Sequence, residues 1–455
     1  MKKITVILMT LLCFLFTLTP IYADSTIKAA VGSSTNSIAT DAVAEVLAEV
    51  NAENPDFAQN ADVCLLLANS DYDCGELLSA LNEKVDIPIW GATSSHATMT
   101  TDGYEVGGVS MLFLSGRHSP DLKVGVAAAF LGSSRADAVS AGKQAVEQAI
   151  KQAVGATIEE VDNHRSRIVL VASAPGMEEA VIEGIESVVG KKIPILGGSA
   201  ADNTVEGNWK QFANDQVSEH DVVVAVISIR ARVGYDFANS YNPTDKTAYI
   251  KASSEYGRLV EELDDRPALD VYAEWIGEDP ANLEGMNLLG ASLLSPVATY
   301  VSRGGRGCYV TGHPAIGNNS DGTMFCFKEF PAATPITLMD ATIDDLVAGV
   351  GNSINTALER AEKVRFSANL TGSVLLPSIT VMEDREIAAL FLVHCGGMRL
   401  AIGDDQMVEV FEETQEIIGN ETPFITFFAF GEQGNNRITG NAHGSLCVVP
   451  VIFSN

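Results

Sequence analysis

Ile193-Pro194-Ile195-Leu196-Gly197-Gly198 repeats, with little change, the earlier Ile87-Pro88-Ile89-Trp90-Gly91-Ala92. Each word closes the same series of signals. Val63 to Ala68 (VCLLLA) is a short apolar run, followed by the polar Asn69-Ser70-Asp71 and a helical stretch around Leu77, Leu78 and Leu81. Ile168 to Ala172 (IVLVA) is another, followed by Ser173-Ala174-Pro175 and a helical stretch around Val181, Ile182 and Ile185. A short apolar run bounded by turn residues reads as a buried strand, so the chain carries two strand-helix-strand units about 105 residues apart.

Further helices flank these units: Ser37 to Val50, with Val43, Val46, Leu47 and Val50 on one face, and Ala138 to Val154. Strands alternating with helices predict an α/β fold of two domains, with a mostly parallel sheet and covering helices in the N-terminal domain. Right-handed crossovers put the loops Gly91 to His96 and Gly197 to Asn203 at the carboxyl ends of strands, where open α/β sheets bind ligands. Beyond Phe237 the pattern changes. Asn239 to Lys246 is polar and Lys251 to Asp265 is charged, which separates an N-terminal domain (24–235) from a C-terminal one (245–455). The second half reads as mixed α/β, with a helix through Trp275 and strands near Leu288, Leu293, Tyr309 and Phe325. A long helix from Asp340 to Lys363 follows, then strand Ile387 to His394, helix Met407 to Ile418, and strands Phe424 to Phe430 and Leu446 to Phe453.

Residues 1–23 read as a secretory signal peptide, with Lys2 and Lys3 before an apolar run and a small residue, Ala23, at the cleavage side. The mature chain is expected from Asp24, in a secreted or periplasmic location, with no membrane insertion of its own. Of 455 residues, 46% are hydrophobic and 19% charged, so the chain is globular. Its formal net charge of -30, without a basic run, argues against nucleic acid as a partner. Six cysteines lie beyond the signal peptide. Cys308 and Cys326 flank a turn-rich stretch and form a candidate disulfide across a hairpin, with buried free thiols as the alternative. No CxxC, HExxH, GxxxxGK[ST] or strand-borne GxGxxG occurs, so no metal or other cofactor is expected. Asn69-x-Asp71-x-Asp73 opens like a calcium loop, but Cys74 and Ala80 stand where glycine and an acid are required. Capping of the next helix by Asp71 or Asp73 is the better reading.

Ile193 to Asp202 (IPILGGSAAD), Arg266 to Tyr272 (RPALDVY) with Trp275-Ile276-Gly277, and Phe427 to Glu432 resemble the FIST family in both wording and order. The resemblance covers nearly all of the mature chain and implies paired N- and C-terminal FIST domains. Those domains are sensory and take small ligands, for which amino acids have been proposed. Cys395, Gly397 and Arg399 resemble a further family element, with the arginine displaced by two residues. His443 resembles a terminal one, with Gly444 and Leu446 in place of Asn and Thr. The resemblance carries over no catalytic residue.

The candidate ligand contacts are Trp90, Ser95 and His96 on one loop and Gly197, Gly198, Ser199, Asp202 and Asn203 on the other. Backbone N–H groups at such glycines and the neighbouring polar side chains suit a small ligand. Arg303 and Arg306, in the sequence Arg-Gly-Gly-Arg-Gly, suit a carboxylate or phosphate. Glu432, ending an apolar strand, suits an ammonium group. The expected function is a non-enzymatic extracytoplasmic sensor of an amino acid or similar molecule, passing its signal to an envelope partner. The alternatives are a secreted serine hydrolase using Ser199 and an envelope interaction protein without a small ligand. Ser199 lacks the following glycine and helix of a nucleophile elbow.

Overall fold

The computed structural model describes residues 27–116, 122–155, 166–362 and 386–455. The signal-peptide reading of residues 1–23 lies outside them. The first unit runs β1 (Lys28–Ser34), α1 (Ala39–Val50), β2 (Val63–Asn69), α2 (Cys74–Asn82), β3 (Ile89–Ser94), a hairpin of β4 (Ala97–Thr100) and β5 (Gly103–Val106), and β6 (Val109–Ser115). The second repeats that order: β7 (Leu122–Phe130), α3 (Arg135–Val154), β8 (Ser166–Ser173), α4 (Glu178–Val189), β9 (Ile195–Ser199), a hairpin of β10 (Gln211–Ala213) and β11 (Gln216–Ser218), and β12 (Asp221–Ile229).

A third unit begins with β13 (Arg232–Tyr235) and is interrupted by an insertion. The insertion holds β14 (Asn242–Ser254), β15 (Leu259–Leu263), β16 (Arg266–Pro267), α5 (Ala268–Ile276), α6 (Asn287–Ala291), β17 (Val297–Arg303), β18 (Arg306–Gly312), β19 (Pro314–Asn318), β20 (Thr323–Cys326) and β21 (Pro335–Asp340). These strands form an eight-stranded sheet with its own core around Leu269, Tyr272 and Phe330. The third unit then resumes with α7 (Ile343–Glu362), β22 (Ile387–Cys395), α8 (Gly396–Ile402), α9 (Asp404–Ile418), β23 (Phe424–Ala429), a hairpin of β24 (Glu432–Asn436) and β25 (Gly440–Gly444), and β26 (Val448–Ser454).

The three units share atomic detail. The carbonyls of Pro88, Pro194 and Pro423 accept from the backbone N–H of Cys64, Val169 and Leu390 at 3.0, 2.9 and 3.0 Å. A Cβ at Gly32, Gly125 or Gly234 would come within 2.6, 2.1 or 2.0 Å of the carbonyl oxygen of Val46, Ala149 or Ala357, so each covering helix lies against bare backbone. Three residues beyond those carbonyls, Glu49 accepts from Ser33 N–H, Gln152 accepts from Val126 N–H, and Arg360 donates to Tyr235 O.

Each six-stranded sheet takes four strands from one unit and a hairpin from another. The orders are β1-β6-β2-β3-β10-β11, β7-β12-β8-β9-β24-β25 and β13-β26-β22-β23-β4-β5. The hairpins therefore pass round a closed cycle of three. The inner faces share one core, in which Trp90 meets Phe391 and Phe427 edge-on at 5.6 and 6.5 Å and donates to Val223 O at 3.4 Å. The helices cover the outer faces.

The fold is α/β, as its alternating strands and helices predict. Within the sheets, only β2–β3, β8–β9 and β22–β23 pair in parallel. The remaining neighbours are antiparallel, because only the helix-linked strands have the crossover that a parallel pair needs. The expected division between 235 and 245 begins at the end of β13, which pairs with β26 of the third unit, and runs into β14. Leu288 lies in α6, not in a strand. Asp73, not Asp71, caps α2 by accepting from Glu76 N–H. No helix among the described residues is long and apolar enough to cross a membrane.

Candidate functional site

The three parallel pairs end at a common centre. Ser95 N–H donates to Phe428 O at 3.0 Å, Phe430 N–H to Ser199 O at 3.0 Å, and Ala201 N–H to Thr93 O at 2.9 Å. Each donor lies two residues beyond its own unit's acceptor, so the three bonds form a ring about a pseudo-threefold axis. Two of the loops singled out by the sequence do meet here, but as a seam. Ser95, Ser199 and Asp202 are buried, and Trp90 lies in the core. A Cβ at Gly197 would sit 2.0 Å from Val171 O, so glycine is needed there for strand packing. Gly198 pairs with Glu432 across β9–β24. Asp202 accepts backbone N–H groups from five successive residues, Thr204 to Asn208, and so fastens its own loop. Asn203 exchanges amide bonds with Asn69 at 2.9 and 3.2 Å and accepts from His96 N–H at 2.8 Å. The half-buried His96 ring is held below its ordinary pKa, first by burial and then by Arg399.

Ser199 belongs to a buried charged cluster. Its hydroxyl donates to Glu178 at 2.8 Å and accepts from Gln433 Nε2 at 3.3 Å. Arg258, from the insertion, bridges Glu178 and Glu179 at 2.7 and 2.6 Å and also donates to Phe327 O. Glu179 in turn meets His443 Nδ1 at 2.9 Å. Burial alone would raise the Glu179 pKa, but His443 and Arg258 outweigh it and hold the carboxyl well below its ordinary value. Glu178, Glu179 and His443 lie close enough together to ligate a metal, and Arg258 already supplies positive charge between the two carboxylates. Glu432 is fully buried and accepts from Gly431 N–H and Cys447 N–H, and burial pushes its pKa up to about 8.

Arg303 and Arg306 lie elsewhere, at the turn of β17 and β18. They line a cavity of about 530 Å³ between the insertion, α7 and the β24–β25 turn. Arg360 and Arg437 add positive charge, Asp236 and Glu359 add negative, and Phe237, Tyr241 and Val310 give apolar wall. Arg360 pairs with Asp236 at 3.0 Å. The guanidinium groups of Arg303 and Arg306 make no hydrogen bond or ion pair with any described residue. Cys447 lines the cavity and donates to Glu432 behind it, so Glu432 backs this site without facing its contents. Cys308 is also in the lining. It is not joined to Cys326, and all six described cysteines are free. The turn-rich stretch closes the β19–β20 hairpin, whose register sets Cys326 against Pro314, while Cys308 lies opposite Val301.

Sequence reasoning missed Glu178, Glu179 and Arg258. The acid pair is visible as the opening of α4, but Arg258 lies in a charged stretch that reads as a linker. Asp236, Arg360 and Arg437 are separated by long intervals, and nothing local links them.

Residues 62–266 match the FIST N domain and residues 268–435 the FIST C domain. An uncharacterized protein of Methanocaldococcus jannaschii is 31% identical over 96 residues, a match spanning 21% of this chain and 18% of that protein's length. The cyanuric acid hydrolase from A. caulinodans aligns over 94% of this chain and 99% of its own at 11% identity, with a TM-score of 0.34. A second cyanuric acid hydrolase structure aligns over 70% of this chain and 100% of its own, also at 11% identity, with a TM-score of 0.26. Likenesses of that strength say nothing about chemistry. The paired domain matches span most of the sequence, and the protein belongs to the FIST family.

Proposed function

We propose that this protein is a sensory binding protein whose ligand, an amino acid or similar small carboxylate, occupies the arginine-lined cavity. FIST domains are associated with sensory signal transduction and ligand binding. One observation carries the choice of site: Arg303 and Arg306 are unpaired at a 530 Å³ cavity with apolar wall, in a chain of net charge -30. Guanidinium groups bind carboxylates in a planar, two-pronged fashion, and the acids on the same lining suit an ammonium group. Burial of Ser199 and its bond to Glu178 favour binding over turnover. The signal-peptide reading of residues 1–23 puts this binding outside the cytoplasm, with an envelope partner receiving the signal.

The test is thermal unfolding of the chain from Asp24 against panels of amino acids and organic acids. A ligand at about 100 times its Kd adds about 2.7 kcal/mol and raises Tm by several degrees. The double change Arg303→Ala and Arg306→Ala is expected to abolish that shift while leaving the unliganded Tm within about a degree, since both residues are exposed. A shift that persists in the double variant removes the cavity from consideration, and a panel without any shift removes the carboxylate reading.

A further inference from the structure

We propose that the groove between β1 and the third unit docks an extended, lysine- or arginine-containing peptide segment of a partner protein. The groove measures about 1720 Å³ and runs between β1, the end of α1, and the starts of β22 and β23. Glu49, Glu53, Asp102, Glu386, Glu416 and Glu421 line it, with Lys28 the one cation among the described lining residues, about twice the chain's own density of acids. Burial first, and to a smaller extent Asp102 and its acidic neighbours, hold Glu49 above its ordinary pKa despite the Ser33 N–H bond.

Backbone supplies the second half of the site. Among the described strands, β1 is the outer one of its sheet and pairs only with β6. Alternate residues direct N–H and C=O outward, away from β6. Outward groups of Ile27 are taken by Asn455, and Ser33 N–H by Glu49. Those of Ala29 and Val31 meet no described group, and both residues line the groove. The corresponding groove between β13 and the second unit is about 320 Å³ and carries Arg167 and Lys192 instead. Only one of these two positions is thus both wide and acidic.

Edge groups and carboxylates together select the occupant. A polyamine would neutralise the acids but leave the Ala29 and Val31 backbone unmatched. A second copy of a chain with net charge -30 would bring repulsion. A basic strand added to β1 matches both features.

The test is fluorescence anisotropy of a labelled Lys-Val-Lys-Val-Lys-Val peptide with the full mature chain, with Glu-Val-Glu-Val-Glu-Val as control. Binding of the basic peptide alone, weakening about tenfold from 50 to 300 mM salt, is expected. Combined Glu53→Gln, Glu416→Gln and Glu421→Gln changes leave the core untouched and are expected to weaken binding about tenfold and flatten the salt dependence. Val31→Pro removes one outward N–H without breaking the ladder to β6, and is expected to weaken binding about fivefold at an unchanged salt slope. The proposal is overturned by equal binding of the acidic peptide or by no binding of the basic one. It is equally overturned if the triple glutamine variant binds like the original, if spermine displaces the peptide while Val31→Pro has no effect, or if sedimentation shows a dimer formed through β1.

Discussion

Two seams join the second unit to its neighbours, and they use different chemistry. Towards the first unit, Asn69 and Asn203 exchange amide bonds, Asn203 also holds His96 N–H, and its amide donates to the Asp71 carboxylate at 3.2 Å, so the join rests on an uncharged side chain. Towards the third, the join is ionic: Glu178, Arg258, Glu179 and His443 in series, with Ser199 at one end. The backbone ring about the axis is common to both, so the added charge is not needed to join one unit to another. It appears where the insertion docks, because Arg258 comes from the insertion while both glutamates come from α4. Glu329 of the insertion makes a parallel contact, donating its N–H to Glu179 at 3.0 Å. Buried charges are tolerable only while each is matched, which makes the second seam conditional on the insertion and the first independent of it.

The sharpest way to break this contrast is Arg258→Met. It leaves the buried Glu178 and the partly buried Glu179 carboxylates facing each other and is expected to cost about 3–5 kcal/mol, read by urea denaturation. A loss under about 1 kcal/mol would mean that the ionic seam is ornamental. Asn203→Ala tests the neutral seam and should cost about 1–3 kcal/mol, since it strands the Asn69 amide and His96 N–H. If it cost as much as Arg258→Met, the distinction between the seams would collapse. A third measurement sharpens the same contrast through pH. Glu432 has a folded pKa of about 8 against an ordinary carboxyl value of 4.5, so the folded state holds the extra proton between those values. Its contribution to stability is therefore greatest at acid pH and is lost as pH rises from about 4.5 to 8, by up to about 1.4 kcal/mol per unit. Glu432→Gln should flatten that slope in a series of denaturation curves; an unchanged slope would place the titration elsewhere.

Two of the three units were legible because their Ile-Pro-Ile words stand in uninterrupted context. The third word is also present as Pro423-Phe424-Ile425-Thr426, with proline in the same structural place, but Thr426 replaces the glycine. An insertion of roughly a hundred residues, β14 to β21, moves it out of register with the 105-residue spacing. The exchanged hairpins were not legible, since nothing in β4 and β5 names β23 as their neighbour. At the site, Arg303 and Arg306 stood out because they flank a Gly-Gly turn and are cationic in an acidic chain. Their companions Arg360 and Arg437 come from α7 and the β24–β25 turn, so only the assembled fold unites them. The segments read as loops begin within the ends of β3 and β9, at Gly91–Ser94 and Gly197–Ser199, and they are consumed in joining the units to one another.

The cyclic passage of hairpins also dictates when this chain can become native. Val109 to Ser115 can close onto β2 early, yet β23 must exist before β4 has its neighbour, and β9 waits for Glu432 and Gln433. Pairings separated by more than two hundred residues form slowly, because the entropy of closing such loops is lost before contacts compensate. Synthesis can therefore deliver most of the polypeptide without completing the second or third six-stranded sheet. Residues 387–455 act as a timer on maturation, and a nascent chain halted before them would display open strand edges to chaperones and proteases.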